Sequence, residues 1–496
     1  MNGDAARFKS ILALKEAYRH ASAVMTYDGM TAAPKNAAAG AAAASALLAR
    51  EEYALTDNAG YARLLERLTA DPETDALTRI EAERELKALE RRMRIPKEVF
   101  AEHKRITGEA FAKWQAAKAN NDHSLFAPHL DAVFKSAARI AAFAEPDMEP
   151  YSYWLDVNED GLTEQKLGEL FERIKNETVP LIKKITALPK PDASFLHVLY
   201  PIEDQREFSE ELRKLMGIDP DRCTLGEAEH PYTTFISRND VRMTTHYYER
   251  SLTANMFSVL HEGGHALYEL NIAEELDGSP LAHGASAGMH ESQSRFYENV
   301  IGRSRAFTRL ILPRLKRRFP KQLEGVTEEE FFRAVNRAEP TLKRTEADEL
   351  TYCLHIIIRY ELEKRMLRSE LAAEDLPREW NALCEEYLGI TPPTDAEGCL
   401  QDMHWGSGLI GYFPTYALGN AYGAQIFAAM QRGLDVDVLT EKGDIPALTA
   451  WLTERIYRFG GTKRPTELIK QCCGGEFDPG YYTAYLKGKY SSVYGL

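Results

Sequence analysis

The sequence predicts a large, mainly α-helical protein. Apolar residues recur at spacings of three and four along most of the 496-residue chain, and this is the period of one face of a helix. Proline and glycine separate the helical segments, but no low-complexity linker and no repeat of fixed length divides the chain. A chain of this length can bury a substantial core. We therefore predict a single domain over 1–496, a large helical body in two lobes.

Most of the chain has the helical period, and one region differs. The clearest helical segments are 80–95, 129–145, 163–186, 253–272, 290–318, 345–372, 416–432 and 463–473. Residues 233–248 instead place β-branched and aromatic side chains around a Ser-Arg-Asn-Asp turn, which is typical of a small β-hairpin. In its second arm Asp240, Arg242, Thr244 and His246 share one polar face. A solvent-exposed edge strand would show the same alternation.

The composition excludes several classes of protein. Acidic residues number 75 against 61 basic ones, which gives a net charge of −14. The longest basic run is Lys316–Arg318, so we expect no nucleic-acid partner. No apolar stretch approaches the roughly 18 residues of a membrane span, and the N-terminus lacks a signal-peptide pattern. Six dispersed cysteines without a CxxC pair favour reduced thiols and a cytoplasmic protein.

The strongest motif is HEGGH at 261–265. On a helix, His261 and His265 lie four residues apart on one face, so both imidazoles can bind one zinc ion while Glu262 lies beside them. Each of Gly263 and Gly264 costs roughly 1 kcal/mol inside a helix. Their presence indicates either that a ligand approaches the helix closely or that another helix crosses it tightly. No P-loop, dinucleotide-binding fingerprint or GxSxG pattern accompanies the motif.

A catalytic zinc ion takes three protein ligands and leaves one position for water. The metzincin class is excluded, because it requires glycine and histidine where the chain has Tyr268 and Asn271. A downstream glutamate is the remaining common third ligand. Glu291, at the start of the next helical segment, is the first candidate, and Glu298 and Glu269 are the others.

Four further clusters follow a fixed order around this motif: DVRMT at 240–244, HESQ at 290–293, RTEAD at 344–348 and GCLQDMHW at 398–405. Together with HEGGH they resemble the carboxypeptidase Taq family of zinc metallocarboxypeptidases. The patterns of that family are DxRxT, HExxH, HES or HEG with Gln, IRxxAD or VRxxAD, and GxxQDxHW. The family also has an HPF triplet upstream, which here is His230-Pro231-Tyr232, with tyrosine in place of phenylalanine. Lys343 is a second departure, because the family has isoleucine or valine before the arginine of RxxAD.

The resemblance implies a helical body like that of the neurolysin type of peptidase, with a long substrate groove and the small hairpin or sheet near the active site. It also implies a homodimer and the removal of single C-terminal residues with broad specificity. The partners would be peptides with a free C-terminus. The expected cofactor is Zn²⁺, with Co²⁺ as a substitute, because the ligand types do not separate these metals.

Given the resemblance, an arginine should bind the terminal carboxylate of the substrate, because its planar fork can bind both oxygens. Arg344 is the first candidate. On the predicted helix it shares a face with Asp348, Tyr352 and His355, and an exposed ion pair with Asp348 is the alternative. Arg242 is the second candidate, unless it only pairs with Asp240.

The remaining residues complete a hydrolytic mechanism. Glu262 would act as general base. His404, with Tyr412 preferred over Tyr416, would stabilise the negatively charged oxygen of the tetrahedral intermediate. The other predicted substrate-binding residues are His230, Gln401 and Asp402.

The sequence thus predicts a zinc-dependent metallocarboxypeptidase. Two alternatives remain open. An oligoendopeptidase on the same helical scaffold would cut internal bonds and would need no carboxylate-binding arginine. A non-catalytic peptide-binding protein would keep the fold without turning over substrate.

Overall fold

The structure, a computed structural model, describes residues 3–496. Its α-helices and β-strands are, in chain order, α1 (Gly3–Thr31), α2 (Ala38–Thr56), α3 (Ala59–Ala70), α4 (Ala76–Arg94), α5 (Lys97–Asn120), α6 (Ala127–Ala144), α7 (Pro150–Asn158), α8 (Glu164–Thr186), α9 (Ile202–Leu215), β1 (Cys223–Glu227), β2 (Thr233–Ser237), β3 (Asp240–Thr245), α10 (Leu252–Leu270), α11 (Ala287–Arg295), α12 (Arg305–Arg318), α13 (Glu328–Val335), α14 (Glu349–Leu367), α15 (Leu376–Leu388), α16 (Pro414–Met430), α17 (Val436–Lys442), α18 (Ile445–Arg455), α19 (Pro465–Cys473) and α20 (Gly480–Tyr494).

The chain folds into two compact units. Unit 1 consists of the described residues up to Glu90, Asp192–Val335 and Ile426–Phe477. Unit 2 consists of Arg91–Pro191, Asn336–Gln425 and Asp478–Leu496. The mainly helical class with a small sheet is confirmed. The assignment of 1–496 to one domain and the long substrate groove stay predictions.

Unit 1 contains the sheet and the HEGGH helix. α1, α3 and α4 bury their apolar faces against one another, with Phe8, Leu64 and Leu65 fully buried. β3 lies between β1, which is parallel to it, and β2, which is antiparallel. The predicted hairpin is therefore β2 and β3. Val241 and Met243 are buried, as the alternation in the sequence predicts.

Unit 2 is organised around α14, which packs against α6, α8 and α15. Along α14 only Glu361, Lys364 and Arg365 are not buried. Because the helix is covered on nearly every side, its apolar residues do not form a single stripe. Among the described helices, none has both the length and the apolarity that crossing a membrane would require.

Two predicted helices begin or end at other residues than the sequence indicated. The segment 290–318 is interrupted by a π-helical turn, Phe296–Ile301, between α11 and α12. The segment 345–372 begins only at Glu349, because the carboxylate of Asp348 accepts hydrogen bonds from the backbone N–H groups at the helix start. Arg344 lies before this cap, in a short 3₁₀ turn. The prediction that Arg344 and Asp348 share a helix face is therefore wrong.

Candidate active site

The two histidines of HEGGH lie on the one partly exposed stripe of α10. The stripe runs through Ala254, Ser258, His261 and His265, whereas most of the helix is buried. The side chains of His261 and His265 are 19% and 17% exposed. Both imidazoles can therefore reach a ligand, while the rest of the helix anchors them.

The two glycines are explained by close packing on both sides of α10. A Cβ atom at Gly264 would lie 2.5 Å from the carbonyl oxygen of Gln293 and 2.8 Å from Cα of Ser294, both in the backbone of α11. A Cβ atom at Gly263 would lie 2.6 Å from Sδ of Met216. The absence of a side chain at Gly264 thus permits α11 to cross α10 at a short distance. The crossing brings α11, and with it Glu291, against the HEGGH motif.

Glu291 and the two histidines form a group of three metal-binding side chains. Oε2 of Glu291 lies 3.6 Å from Nε2 of His265 and 3.8 Å from Nε2 of His261. Donor atoms in a tetrahedral zinc site lie roughly 3.4 Å apart, because each bond is about 2.1 Å long. Two imidazoles and one carboxylate are a common catalytic zinc set, and they leave a fourth position open. The residues therefore fit a zinc ion, and no other such group occurs within residues 3–496.

Glu291 is held in its ionised form. Burial alone would raise its pKa, but Arg295 and His261 outweigh that effect and hold the pKa well below its usual value. Nε of Arg295 donates to Oε1 at 2.7 Å, and Oγ of Ser294 donates to Oε2 at 3.2 Å. An ionised, oriented carboxylate is the form that binds a metal.

Glu298, another candidate for the third ligand, lies behind His261 instead. Its Oε2 is 2.9 Å from Nδ1 of His261, the ring nitrogen that does not face Glu291. Although burial raises the pKa of Glu298, Arg295 and His261 lower it to about 2. A carboxylate in this position fixes the orientation and tautomer of a metal-binding histidine.

Glu262 is buried beside the group of three and faces the sheet. The hydroxyl of Thr233, at the start of β2, donates to Oε2 of Glu262 at 2.7 Å and to its backbone carbonyl at 3.0 Å. Burial raises the pKa of Glu262 above its usual value. The carboxylate is thus held in one orientation and made more basic, as a general base requires.

We expect that replacing Gly264 with alanine will weaken metal binding. The new methyl group would meet the backbone of α11 and push Glu291 away from the histidines, at a cost of about 1–3 kcal/mol in stability. The measurements are zinc content after dialysis against a chelator and the midpoint of urea unfolding. Gly108→Ala in α5 is the control, because its Cβ would have no neighbour within 4 Å. Full zinc retention by Gly264→Ala would contradict the role given to this crossing.

A second cluster of predicted residues lies in unit 2, where Asp402 is bound between two arginines. Its Oδ1 accepts hydrogen bonds from Arg344 at 3.1 and 3.3 Å, and its Oδ2 accepts two from Arg359, one of them at 2.7 Å. All three side chains are largely buried. Two cations against one carboxylate leave a positive excess, which favours an anionic partner.

Arg344 also contacts two tyrosines. Its Nη1 donates to the hydroxyl of Tyr352 at 3.1 Å, and its guanidinium lies 4.9 Å from the ring centre of Tyr416. Burial alone would lower the pKa of Arg344, but Tyr352 and Asp402 raise it above its usual value. Arg344 does not form the exposed ion pair with Asp348 that was the alternative, because the carboxylate of Asp348 caps α14.

His404 lies next to the same cluster. Its Nδ1 is 3.9 Å from Oδ1 of Asp402, and its Nε2 is 3.5 Å from the hydroxyl of Tyr416. The ring of Tyr412 is 5.8 Å away between centres. Burial lowers the pKa of His404 to about 4, so the imidazole is neutral at pH 7 and can donate one hydrogen bond.

The three other predicted residues have contacts of their own. Gln401 accepts from the backbone N–H of Arg344 at 2.9 Å and donates to backbone carbonyls, including that of Gly398 at 3.0 Å. Arg242 forms two 2.8 Å hydrogen bonds with Asp240, which is the structural pairing considered above. His230 is exposed in the loop between β1 and β2. Their contacts with substrate stay predictions.

Arg359 and Thr233 are among the residues of these clusters that were not recognised in the sequence. Arg359, fully buried, could have been found by extending the predicted face of α14 from His355 by four residues. Thr233 had no such signal, because its contact with Glu262 depends on how β2 packs against α10.

Comparison with known proteins assigns the family. The profile described as carboxypeptidase Taq (M32) metallopeptidase matches residues 7–490. Carboxypeptidase 1 of Bacillus subtilis is 40% identical over 484 residues, which cover 97% of this chain and 96% of that protein. Thermostable carboxypeptidase 1 of Thermus thermophilus is 37% identical over 490 residues, with 95% of each chain covered.

Solved structures agree with these relatives. The crystal structure of the M32 carboxypeptidase from Deinococcus radiodurans R1 matches with a TM-score of 0.97 and 35% identity, and all of both chains is covered. The Pyrococcus furiosus carboxypeptidase structure matches with a TM-score of 0.95 and 33% identity over 99% of each chain. The protein is therefore a peptide hydrolase of the carboxypeptidase class. With a family match along nearly its whole length, the chain belongs to the carboxypeptidase Taq (M32) family of metallopeptidases.

Proposed function

We propose that the protein is a zinc-dependent carboxypeptidase that removes single C-terminal residues from peptides with broad specificity. The observation that carries this proposal is the convergence of His261, His265 and Glu291, with the buried Glu262 beside them. The same residues would hold Co²⁺ as a substitute. We further propose that the whole chain forms one catalytic domain with a long substrate groove, that it acts in the cytoplasm, and that it forms a homodimer.

A bound zinc ion would supply a Lewis acid that lowers the pKa of a coordinated water from 15.7 toward about 7. Glu262 accepts a proton from the water that attacks the peptide carbonyl and later delivers it to the leaving amine. Thr233 keeps the carboxylate of Glu262 in place for both transfers. His261 and His265, whose Nε2 atoms face Glu291, would hold the ion in their neutral forms.

The other predicted residues would bind the substrate. Arg344 would bind the terminal carboxylate, and the positive excess around Asp402 supports this assignment. His404 and Tyr412 would donate hydrogen bonds to the oxygen that becomes negative during attack. His230 would bind the substrate backbone, with Arg242 as the second candidate for the carboxylate. Gln401 and Asp402 would act by holding Arg344.

The test is mass spectrometry of a mixed peptide set, in which each peptide has a free and an amidated form. The zinc-loaded protein should shorten free peptides one residue at a time from the C-terminus, and chelation should abolish the reaction. Amidated peptides should stay intact, because the carboxylate is missing. Internal cuts in amidated peptides would instead identify an endopeptidase, and no cleavage would indicate a peptide-binding protein.

We expect Arg344→Lys to lower kcat/KM for free peptides by roughly 10²-fold, because lysine keeps the charge but loses the fork that binds both carboxylate oxygens. Asp402 would still be paired with Arg359, so the thermal midpoint should change little. Arg242→Lys is the matched control and should have a small effect. If Arg242→Lys lowered kcat/KM more than Arg344→Lys does, the carboxylate-binding role would belong to Arg242.

A further inference from the structure

His265 is linked to a second histidine on the side away from Glu291. Its Nδ1 lies 2.5 Å from Nδ1 of His290, the residue that precedes Glu291 on α11. Nε2 of His290 in turn lies 2.7 Å from Oε1 of Glu269 on α10. The three side chains therefore form a continuous hydrogen-bonded chain that ends at the candidate metal site.

Only one placement of hydrogens satisfies this chain. Nε2 of His265 faces Glu291 and must keep its lone pair free for a metal, so the hydrogen of this imidazole is on Nδ1. His290 then accepts at Nδ1 and carries its own hydrogen on Nε2. That hydrogen is donated to Glu269, which accepts it as a carboxylate. Each member thus sets the tautomer of the next.

The surroundings hold His290 in this chain. Its ring lies 5.2 Å from that of Tyr268 between centres. A Cβ atom at Gly284 would lie 2.7 Å from Cδ2 of His290 and 2.9 Å from Cε1 of Tyr268. The backbone N–H of Gly284 also donates to Oε1 of Glu269 at 3.3 Å. The ring thus fits only because residue 284 has no side chain.

Glu269 is 4% exposed. Burying a carboxylate to this extent costs free energy unless hydrogen bonds offset the loss of its hydration. The hydrogen bond from Nε2 of His290 is such a bond. Because His290 also contacts His265, the negative charge of Glu269 acts on His265 through His290. The arrangement parallels that of His261, which contacts Glu298 directly.

We propose that His290 and Glu269 are positioning residues that hold His265 in the tautomer and orientation that present Nε2 to the metal. This inference rests on the proposed zinc site. It assigns a role to the histidine of the HES cluster and to Glu269, neither of which belongs to the group of three metal-binding side chains. Loss of the outer partners of metal-binding histidines typically costs 10–100-fold in metal affinity.

The experiment compares zinc release from the full-length, zinc-loaded protein during titration with a chelator. His290→Leu removes the acceptor and should weaken zinc binding by roughly 10–100-fold. His290→Asn should lose less, because its amide oxygen can still accept from Nδ1 of His265. Glu269→Gln keeps an acceptor for His290 but loses the charge, so it should fall between wild type and His290→Leu.

Gly284→Ala gives an independent test, because its methyl group would displace His290 without altering any member of the chain. It should weaken zinc binding, whereas Gly475→Ala should not, because a Cβ there would have no neighbour within 4 Å. The absorption spectrum of the Co²⁺-loaded variants reports the ligand geometry directly. The thermal midpoint of each metal-free variant separates positioning from a general loss of stability.

Unchanged zinc affinity and an unchanged Co²⁺ spectrum in His290→Leu would overturn the inference. So would equal losses in His290→Leu and His290→Asn, because the hydrogen-bond acceptor would then be irrelevant. If His290→Leu does not fold, the zinc affinity and Co²⁺ spectrum of Glu269→Gln and Gly284→Ala provide the same test. Failure of the wild-type protein to retain zinc would instead refute the proposed zinc site itself.

Discussion

Replacing Glu262 with glutamine should lower kcat/KM for peptides by about 10²–10⁴-fold while zinc stays bound. Glutamine has nearly the same shape, and Thr233 can still donate to its amide oxygen. His261, His265 and Glu291 are not altered. The variant therefore loses only the ability to accept and deliver a proton.

The measurement pairs steady-state kinetics on a free peptide with zinc content of the same sample. Thr233→Ser is the matched control, because it keeps the hydroxyl that contacts Glu262 and should retain most of the activity. Thr233→Val should lose part of the activity, because the carboxylate is no longer held. If Glu262→Gln remained active with zinc bound, Glu262 could not be the general base.

Replacing Asp402 with alanine should lower the free energy of unfolding by about 3–5 kcal/mol, because two buried arginines lose their common carboxylate. The side chain of Arg359 is fully buried, with 0% exposure, so water cannot replace that partner. Asp402→Asn should cost less, since the amide oxygen still accepts from one guanidinium. Urea unfolding followed by circular dichroism gives the comparison.

Glu109→Ala is the control for this experiment. Glu109 pairs with Arg105 in the same unit, but the two side chains are 52% and 60% exposed. Exposed pairs of this kind contribute about 0–1 kcal/mol. An Asp402→Ala variant no less stable than Glu109→Ala would show that the arginines find other partners or that their charges are solvated.

The fold class and the central helix of the site could be predicted because they depend on local spacing. A helix with histidines four residues apart places both on one face wherever it lies in the chain. Among the helices outside the predicted segments, α1 and α2 have no clear apolar stripe, since much of their surface is exposed and α2 is rich in alanine. β1 was missed because it is only five residues long and contains a glycine, so its sequence, CTLGE, has little strand character.

Contacts between distant segments could not be predicted from spacing. Periodicity alone did not separate Glu291 from Glu298 as third ligand, because residues seven apart lie on the same helix face. Both carboxylates approach His261, Glu291 at Nε2 and Glu298 at Nδ1. The network around Asp402 joins Arg344 before α14 to Arg359 within it. Such a contact is set by the path of the chain between the two residues, which the sequence pattern does not encode locally.

The interleaving of the two units has a consequence for synthesis on the ribosome. Unit 2 is completed only by its last segment, in which α20 packs against α8 and the hydroxyl of Tyr482 lies 3.3 Å from Sγ of Cys353 in α14. Unit 1 is likewise incomplete until its last segment, which ends at Phe477, has been synthesised. Neither core can therefore close before its own last segment has been synthesised. A premature stop near Phe477 would release a chain without α20, so the surface that α20 covers on α8 and around Cys353 would stay exposed. Exposed core surface makes a chain a substrate for chaperones and degradation.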